Sequence, residues 1–137
     1  MSYLEFLRVL CDVWGYRVFV GMPVEGYEEL FKYMVPEYMH YIPTLSANIA
    51  LNIAAGVSYG DVKSVLFIDS LDLSKLTYEI NELNSIKCMD LLIITNGVVN
   101  AVYNEIELSS VVGNLEDATL LKDALNILIL KDGDLHA

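Results

Sequence analysis

Three short runs of consecutive apolar residues stand out along the chain, and each has the composition of a buried strand. They lie at residues 17–21, 64–69 and 91–95, and they are rich in valine, isoleucine, leucine and phenylalanine. Each run ends at a glycine or a polar residue, as strands commonly do. Residues 39–43 and 127–130 predict two further strands. Strands that are apolar at every position, rather than at alternate positions, are typical of a sheet that is covered on both faces.

The segments between these strands carry apolar residues at helical spacing. We predict helices over residues 3–14, 26–34, 46–59, 74–86 and 115–125, with a loop before the fourth. The helix at 46–59 has the clearest pattern, because Ser46 precedes it in the N-cap position. Residues 98–113 are ambiguous, and the sequence does not decide between helix, strand and loop.

Alternating strands and helices predict an α/β fold with a mainly parallel sheet. The length of 137 residues fits one domain. We therefore predict a single three-layer doubly wound domain over residues 1–137. Hydrophobic residues make up 55% of the chain and charged residues only 20%. This apolar content indicates either a sheet covered on both faces or a subunit that hides one face against a partner.

Charge excludes some function classes. The net charge is −11, from 19 acidic and 8 basic residues without a basic cluster, so the chain is not expected to bind nucleic acid.

No apolar run approaches the roughly 18 residues of a membrane span. The amino terminus lacks a basic region followed by an apolar stretch, so we expect a cytoplasmic protein. His40, His136, Cys11 and Cys88 have no neighbours at metal-ligand spacing, and we predict no metal site among them.

The glycine motifs of dinucleotide and P-loop sites, and the serine motif of α/β hydrolases, are absent from the sequence. In open parallel sheets, ligands bind outside the carboxyl ends of the strands. Asp69 ends one strand, and two roles are open for it. It can accept hydrogen bonds from loop amides or cap the next helix, which we favour, or it can contact a ligand.

Several segments, in order, resemble the pyrimidine-binding domain of thiamine-diphosphate-dependent decarboxylases, and they are closest to the sulfopyruvate and phosphonopyruvate decarboxylases. The segments are Val18–Pro23 (VFVGMP), His40–Thr44 (HYIPT), Ile53–Val57 (IAAGV), Val65–Ser70 (VLFIDS) and Leu91–Gly97 (LLIITNG). The resemblance covers roughly residues 3–97. It implies the thiamine-diphosphate-binding fold.

The sequence departs from this family at one important position. In the family, a glutamate at the start of the helix before the alanine-glycine segment accepts a hydrogen bond from the aminopyrimidine ring. The matching residue here is Ala47, and the nearest upstream acid is Glu37. Val24 also replaces an expected polar residue, and Asp69 replaces an expected asparagine. Three explanations stay open: an active enzyme without the glutamate, a non-catalytic relative, or an engineered or misaligned position.

The resemblance implies the pyrimidine-domain subunit of a thiamine-diphosphate-dependent 2-oxoacid decarboxylase, with a catalytic residue that the sequence does not identify. The implied cofactor-binding residues are Gly21, Pro23, Ser46, Asn48, Asp69 and Ser70. Thiamine diphosphate and magnesium can bind only with a partner subunit that supplies the diphosphate-binding domain, because its Gly-Asp-Gly motif is absent here.

The alternative is a relative without cofactor that associates with itself or with a partner. The small residues Ala50, Ala54, Ala55 and Gly56 would let the helix at 46–59 pack closely against a second copy, which makes a homo-oligomer our expectation.

Overall fold

The computed structural model describes residues 1–22, 24–84, 90–96, 111–112 and 125–137. Its helices are α1 (Tyr3–Arg8), α2 (Ala47–Tyr59), α3 (Ser70–Ser74) and α4 (Thr77–Asn84), with a π-helical turn at Val9–Val13 and a 3₁₀-helix at Glu28–Tyr33. Its strands are β1 (Val18–Gly21), β2 (His40–Pro43), β3 (Ser64–Phe67), β4 (Leu91–Asn96), β5 (Val111–Val112) and β6 (Asn126–Leu130). The strands alternate with helices as predicted.

The described strands form one six-stranded sheet in the order β2-β1-β3-β4-β6-β5. Every pair of neighbouring strands is parallel. The register places Gly21 beside both Pro43 and Phe67, so β1, β2 and β3 end at the same level. The carboxyl edge of the sheet is therefore a row of strand ends, where ligand sites of this fold class lie.

Two layers of helices cover the two faces of the sheet. On one face, α1 and the 3₁₀-helix bury a cluster that includes Phe6, Phe19, Tyr27 and Phe67, which we call the aromatic layer. On the other face, α2, α3 and α4 bury a cluster of alanine, valine, leucine and isoleucine, which we call the aliphatic layer. The continuously apolar strands predicted this arrangement, since each strand sends side chains alternately to both layers.

Two predicted helices differ from the structure. The helix predicted at 26–34 is the 3₁₀-helix at Glu28–Tyr33. The helix predicted at 74–86 after a loop is instead two short helices, and the first of them begins at Ser70, directly after β3. The polar residues of this segment suggested a loop, but Leu73 and Leu76 are buried in the aliphatic layer. The predicted helix at 115–125 lies almost wholly outside the described residues, as does the ambiguous segment 98–113 except for β5.

The small residues of α2 have a different role from the predicted one. Ala50, Ala54 and Ala55 are buried against the chain's own sheet, where they let α2 lie close to β1 and β3. Gly56 is exposed, and a side chain added there would meet nothing within contact distance. Close packing of α2 is thus explained within one chain. Among the described residues, no helix is long and apolar enough to cross a membrane.

Candidate functional site

A cavity of about 120 Å³ opens at the carboxyl edge, where β1 and β3 end and α2 begins. Its walls include Gly21, Ser46, Ala47, Phe67, Asp69 and Asp72, and we call it the edge cavity. A cavity of about 150 Å³ holds one benzene ring. The edge cavity is comparable in size to one flat ring, and because it is open to solvent the rest of a larger ligand would have to lie outside it.

Gly21 gives the edge cavity a wall of bare backbone. Its φ of +114° is one that residues with a side chain rarely adopt. A Cβ at this position would also overlap the carbonyl oxygen of Phe67 in the neighbouring strand. The carbonyl of Gly21 accepts a 2.8 Å hydrogen bond from the hydroxyl of Tyr41, whose pKa is raised by burial. Glycine is therefore required here for the strands to end side by side.

The start of α2 forms a second wall. The hydroxyl of Ser46 accepts a hydrogen bond of 3.3 Å from the amide of Ile49, which makes Ser46 the N-cap. The hydroxyl of Thr44 donates to the carbonyl of Ser46 at 2.9 Å and holds the turn in place. Ala47 follows as the first helical residue, and its methyl group packs against the aliphatic layer. At position 47 the cavity is lined by a side chain that cannot accept a hydrogen bond.

Asp69 holds the loop after β1 against the end of β3. Its Oδ1 accepts a 2.8 Å hydrogen bond from the amide of Glu25. Asn96, at the end of β4, adds two hydrogen bonds of 3.1 Å to this connection. Its Nδ2 donates to the carbonyl of Glu25, and its Oδ1 accepts from the amide of Ser70. Asp69 therefore accepts from a loop amide, the structural role that the sequence favoured. It makes no side-chain cap to α3.

Asp72 is the residue that the sequence reading missed. It lies in the first turn of α3, one helical turn after Asp69, and it lines the edge cavity with a half-buried side chain. The structure gives its carboxylate no hydrogen bond or ion pair with any described residue. The signal in the sequence was the spacing of two aspartates by three residues directly after an apolar strand, which places both at one edge if a helix begins there.

The structure brings together only some of the residues that the resemblance selected. Gly21, Ser46 and Asp69 line the edge cavity together with Ala47. Asn48 is exposed, and Ser70 starts α3; neither lines the cavity. Pro23 lies outside the described residues.

The two other sequence departures also have a place in the structure. Val24, which stands where the family has a polar residue, is 1% exposed within the aromatic layer. Glu37 precedes β2, and it is therefore at the opposite edge of the sheet from the cavity. Neither residue can present a polar group to the edge cavity.

A second depression lies farther along the same edge. It is lined by residues that include Tyr27, Asn96 and Lys131, beyond the ends of β4 and β6. The hydroxyl of Tyr27 donates to the carbonyl of Lys131, and Asn96 is engaged in the tie to Glu25. Two polar side chains of this depression, those of Tyr27 and Asn96, are therefore already used to hold the chain together.

No model of a known protein family matches the chain, and no curated protein does. The sheet order, the parallel register and the three layers define a doubly wound α/β domain, which confirms the fold class that the sequence predicted.

Among solved structures, the chain is similar to 2-oxoglutarate:ferredoxin oxidoreductase from Magnetococcus marinus, determined with 2-oxoglutarate, coenzyme A and succinyl-CoA bound. The TM-score is 0.70 at 13% sequence identity, over 96% of this chain and 29% of that chain. At this identity the likeness shows the fold alone, and the chain spans less than a third of the enzyme's length.

Proposed function

We propose that the chain is the pyrimidine-binding domain of a thiamine-diphosphate-dependent 2-oxoacid enzyme, and that the edge cavity holds the aminopyrimidine ring. One observation carries this proposal: a ring-sized cavity lies where Gly21, Ser46 and Asp69 meet, three residues that the family resemblance selected. The fit in size rests on the cavity volume and on the bare backbone of Gly21, which leaves one wall without a side chain. It is incomplete in chemistry, because Ala47 offers no acceptor.

The substrate class follows from two sources. The sequence resembles sulfopyruvate decarboxylases, which remove a carboxyl group from a 2-oxoacid. The compounds bound to the structural neighbour also include a 2-oxoacid, 2-oxoglutarate, whose carbon chain is one carboxyl group longer than the succinyl group of succinyl-CoA. Thiamine diphosphate supplies the carbon nucleophile for such reactions. In this chain, Gly21 and Ser46 would position the ring, and Asp69 would fix the loop beside it.

A partner is part of this proposal, because the edge is unsuited to an anion. Glu25, Asp69 and Asp72 lie at or near the cavity, and the chain carries a net charge of −11, so a diphosphate and its magnesium ion need donors from elsewhere. Met22 and Leu45, at the mouth of the cavity, are 46% and 93% exposed. Apolar residues this exposed suit contact with a diphosphate-domain subunit or a second copy of the chain.

Isothermal titration of the full chain with thiamine, and separately with thiamine diphosphate and magnesium, tests the proposal. Thiamine carries the ring without the diphosphate, so we expect it to bind the isolated chain at least as tightly as the diphosphate does. An added diphosphate-domain subunit should reverse this order. The reversal is expected because only the partner supplies groups for the diphosphate.

A blocked cavity provides the matched control for this titration. The change Ala47→Trp fills the cavity from the start of α2 with an indole ring, which is far larger than the glutamate found at this position in the family, and it should abolish thiamine binding. The change Asn52→Trp adds the same side chain to an exposed position of α2 and should leave binding unchanged. If the unaltered chain binds neither compound, with or without the partner, the enzymatic proposal is wrong.

The alternative function, a partner-binding relative without cofactor, has one observation in its favour. The exposed face of α2 carries Asn48, Ile49, Asn52, Gly56 and Tyr59, and it has no charged residue in a strongly acidic chain. Two such faces can approach without repulsion. Sedimentation equilibrium of the full chain and of Ile49→Lys tests this: a dimer that the lysine dissociates, together with no thiamine binding, would support the alternative.

A further inference from the structure

Asp72 is a partly buried residue of the edge cavity wall, and its carboxylate has no hydrogen-bond or ion-pair partner among the described residues. A carboxylate that loses part of its water shell without gaining hydrogen bonds is unfavourable. Most such groups in folded proteins are paired or hydrogen-bonded. The carboxylate of Asp72 is therefore available to a donor that enters the edge cavity.

The other acids near the site are less suitable acceptors. Asp69 already uses one oxygen to bind the amide of Glu25, which fixes its orientation towards the loop. Glu25 is exposed and does not line the edge cavity. Glu37 lies at the opposite edge of the sheet. Within the part of the chain that the structure describes, Asp72 alone combines a carboxylate, a place in the cavity wall and no competing hydrogen bond.

We propose that Asp72 accepts the N–H group of a ring bound in the edge cavity, and so takes the place of the glutamate that is absent at position 47. Ala47 and Asp72 line the same cavity from two different helices, α2 and α3. The ligand class is a flat heteroaromatic ring with an amino or ring N–H donor, neutral or cationic, since an anionic ring would be repelled. This inference rests on the proposed function, because an aminopyrimidine is such a ring.

The test measures thiamine binding to three forms of the full chain by isothermal titration. Asp72→Asn keeps the size of the side chain and removes its charge, and we expect it to weaken binding at least about tenfold, since hydrogen bonds to a charged group are the stronger ones. Asp61→Asn removes an exposed aspartate beyond the other end of α2. It should leave the dissociation constant unchanged.

A double variant tests whether a carboxylate at position 47 can replace the carboxylate of Asp72. In the Asp72→Asn background, Ala47→Glu returns a carboxylate to the cavity from the first turn of α2, where the helix dipole favours a negative charge. We expect the double variant to recover most of the lost affinity. A double variant as weak as Asp72→Asn would overturn the idea that the two positions serve the same ring.

Thermal unfolding without ligand separates binding from structure. Because Asp72 has no partner in the described chain, Asp72→Asn should unfold at the same temperature as the unaltered protein or at a higher one. A clearly lower temperature would mean that Asp72 holds the fold together and would overturn the proposal. Equal thiamine binding by the unaltered chain and Asp72→Asn would overturn the role of Asp72 alone. No thiamine or thiamine diphosphate binding by the unaltered chain, with or without the partner subunit, would overturn the proposed function as well.

Discussion

The two layers that cover the sheet solve the same packing problem with different side chains. The aromatic layer fills its space with large rings, and Phe19 and Phe67 stack there with centroids 6.3 Å apart. The buried residues of the aliphatic layer are alanine, valine, leucine and isoleucine, with no ring among those described. Small side chains let α2 lie close to the strands, whereas rings hold α1 and the 3₁₀-helix at a distance. The edge cavity lies on the side with the small residues, where Ala47 and Ala50 leave room for a ring that the chain does not provide.

The aromatic layer should be the more sensitive of the two to loss of volume. We expect Phe19→Ala to lower the free energy of unfolding by about 3–5 kcal/mol, because its ring is fully buried and the neighbouring rings cannot collapse into the space. Urea unfolding measures the change. Tyr78→Ala removes a ring that is 73% exposed and should change stability by less than about 0.5 kcal/mol. A similar loss in both variants would contradict the comparison.

The aliphatic layer should instead be sensitive to added volume. Ala54 is fully buried between α2 and the sheet, so Ala54→Leu should destabilise the protein by about 1–3 kcal/mol through overpacking. Gly56→Ala is the control on the same helix: it adds a methyl group in open space and should stabilise by about 0.5–1 kcal/mol. A neutral Ala54→Leu would show that α2 can move away from the sheet, against the close packing described above.

Asp69 connects two parts of the site. It lies at the end of β3 beside the cavity, and it binds the loop after β1 that leads to the aromatic layer. Asp69→Ala leaves the amide of Glu25 without its acceptor, and we expect a loss of about 1 kcal/mol. Asp69→Asn keeps an oxygen in the same place and should lose less. Hydrogen exchange of the Glu25 amide gives a direct readout, since it should become faster in the alanine variant and stay slow in the asparagine variant.

The smallest expected effect concerns how stability depends on pH in alkaline solution. It arises from ionisable side chains in or against the aromatic layer. Burial raises the pKa of Cys11, Tyr27 and Tyr41 above their ordinary values of 9.0 for cysteine and 10.0 for tyrosine. The unfolded chain releases these protons first, so the folded state binds more protons and loses stability as pH rises above about 9. Urea unfolding at about pH 8 and about pH 11 measures this slope. Tyr41→Phe should reduce it, because the variant has no phenol proton at this position.

The fold was predictable from the sequence because short, mostly apolar runs alternate with segments of helical spacing, which is typical of a parallel sheet covered by helices. The small residues of α2 were recognised, but the sequence could not show whether they faced the chain's own sheet or a second copy. The direction of these side chains depends on how α2 is rotated about its axis, which the sequence does not fix. The structure shows that Ala50, Ala54 and Ala55 face the chain's own sheet. Asp72 was missed for a related reason. Its position in the cavity depends on α3 starting at Ser70, and the serines and aspartates of that segment are equally typical of a loop.

The strand order also determines how the chain must fold. Val18 pairs with His40 on one side and with Ser64 on the other, so β1 is complete only after a long stretch of later sequence has been made. Parallel neighbouring strands cannot be joined by a hairpin, so each pair of strands forms only after the crossover segment between them has been made. Proteins dominated by such distant contacts fold slowly. During synthesis, the apolar β1 is exposed until β3 arrives, and this interval is when the chain is most prone to aggregate.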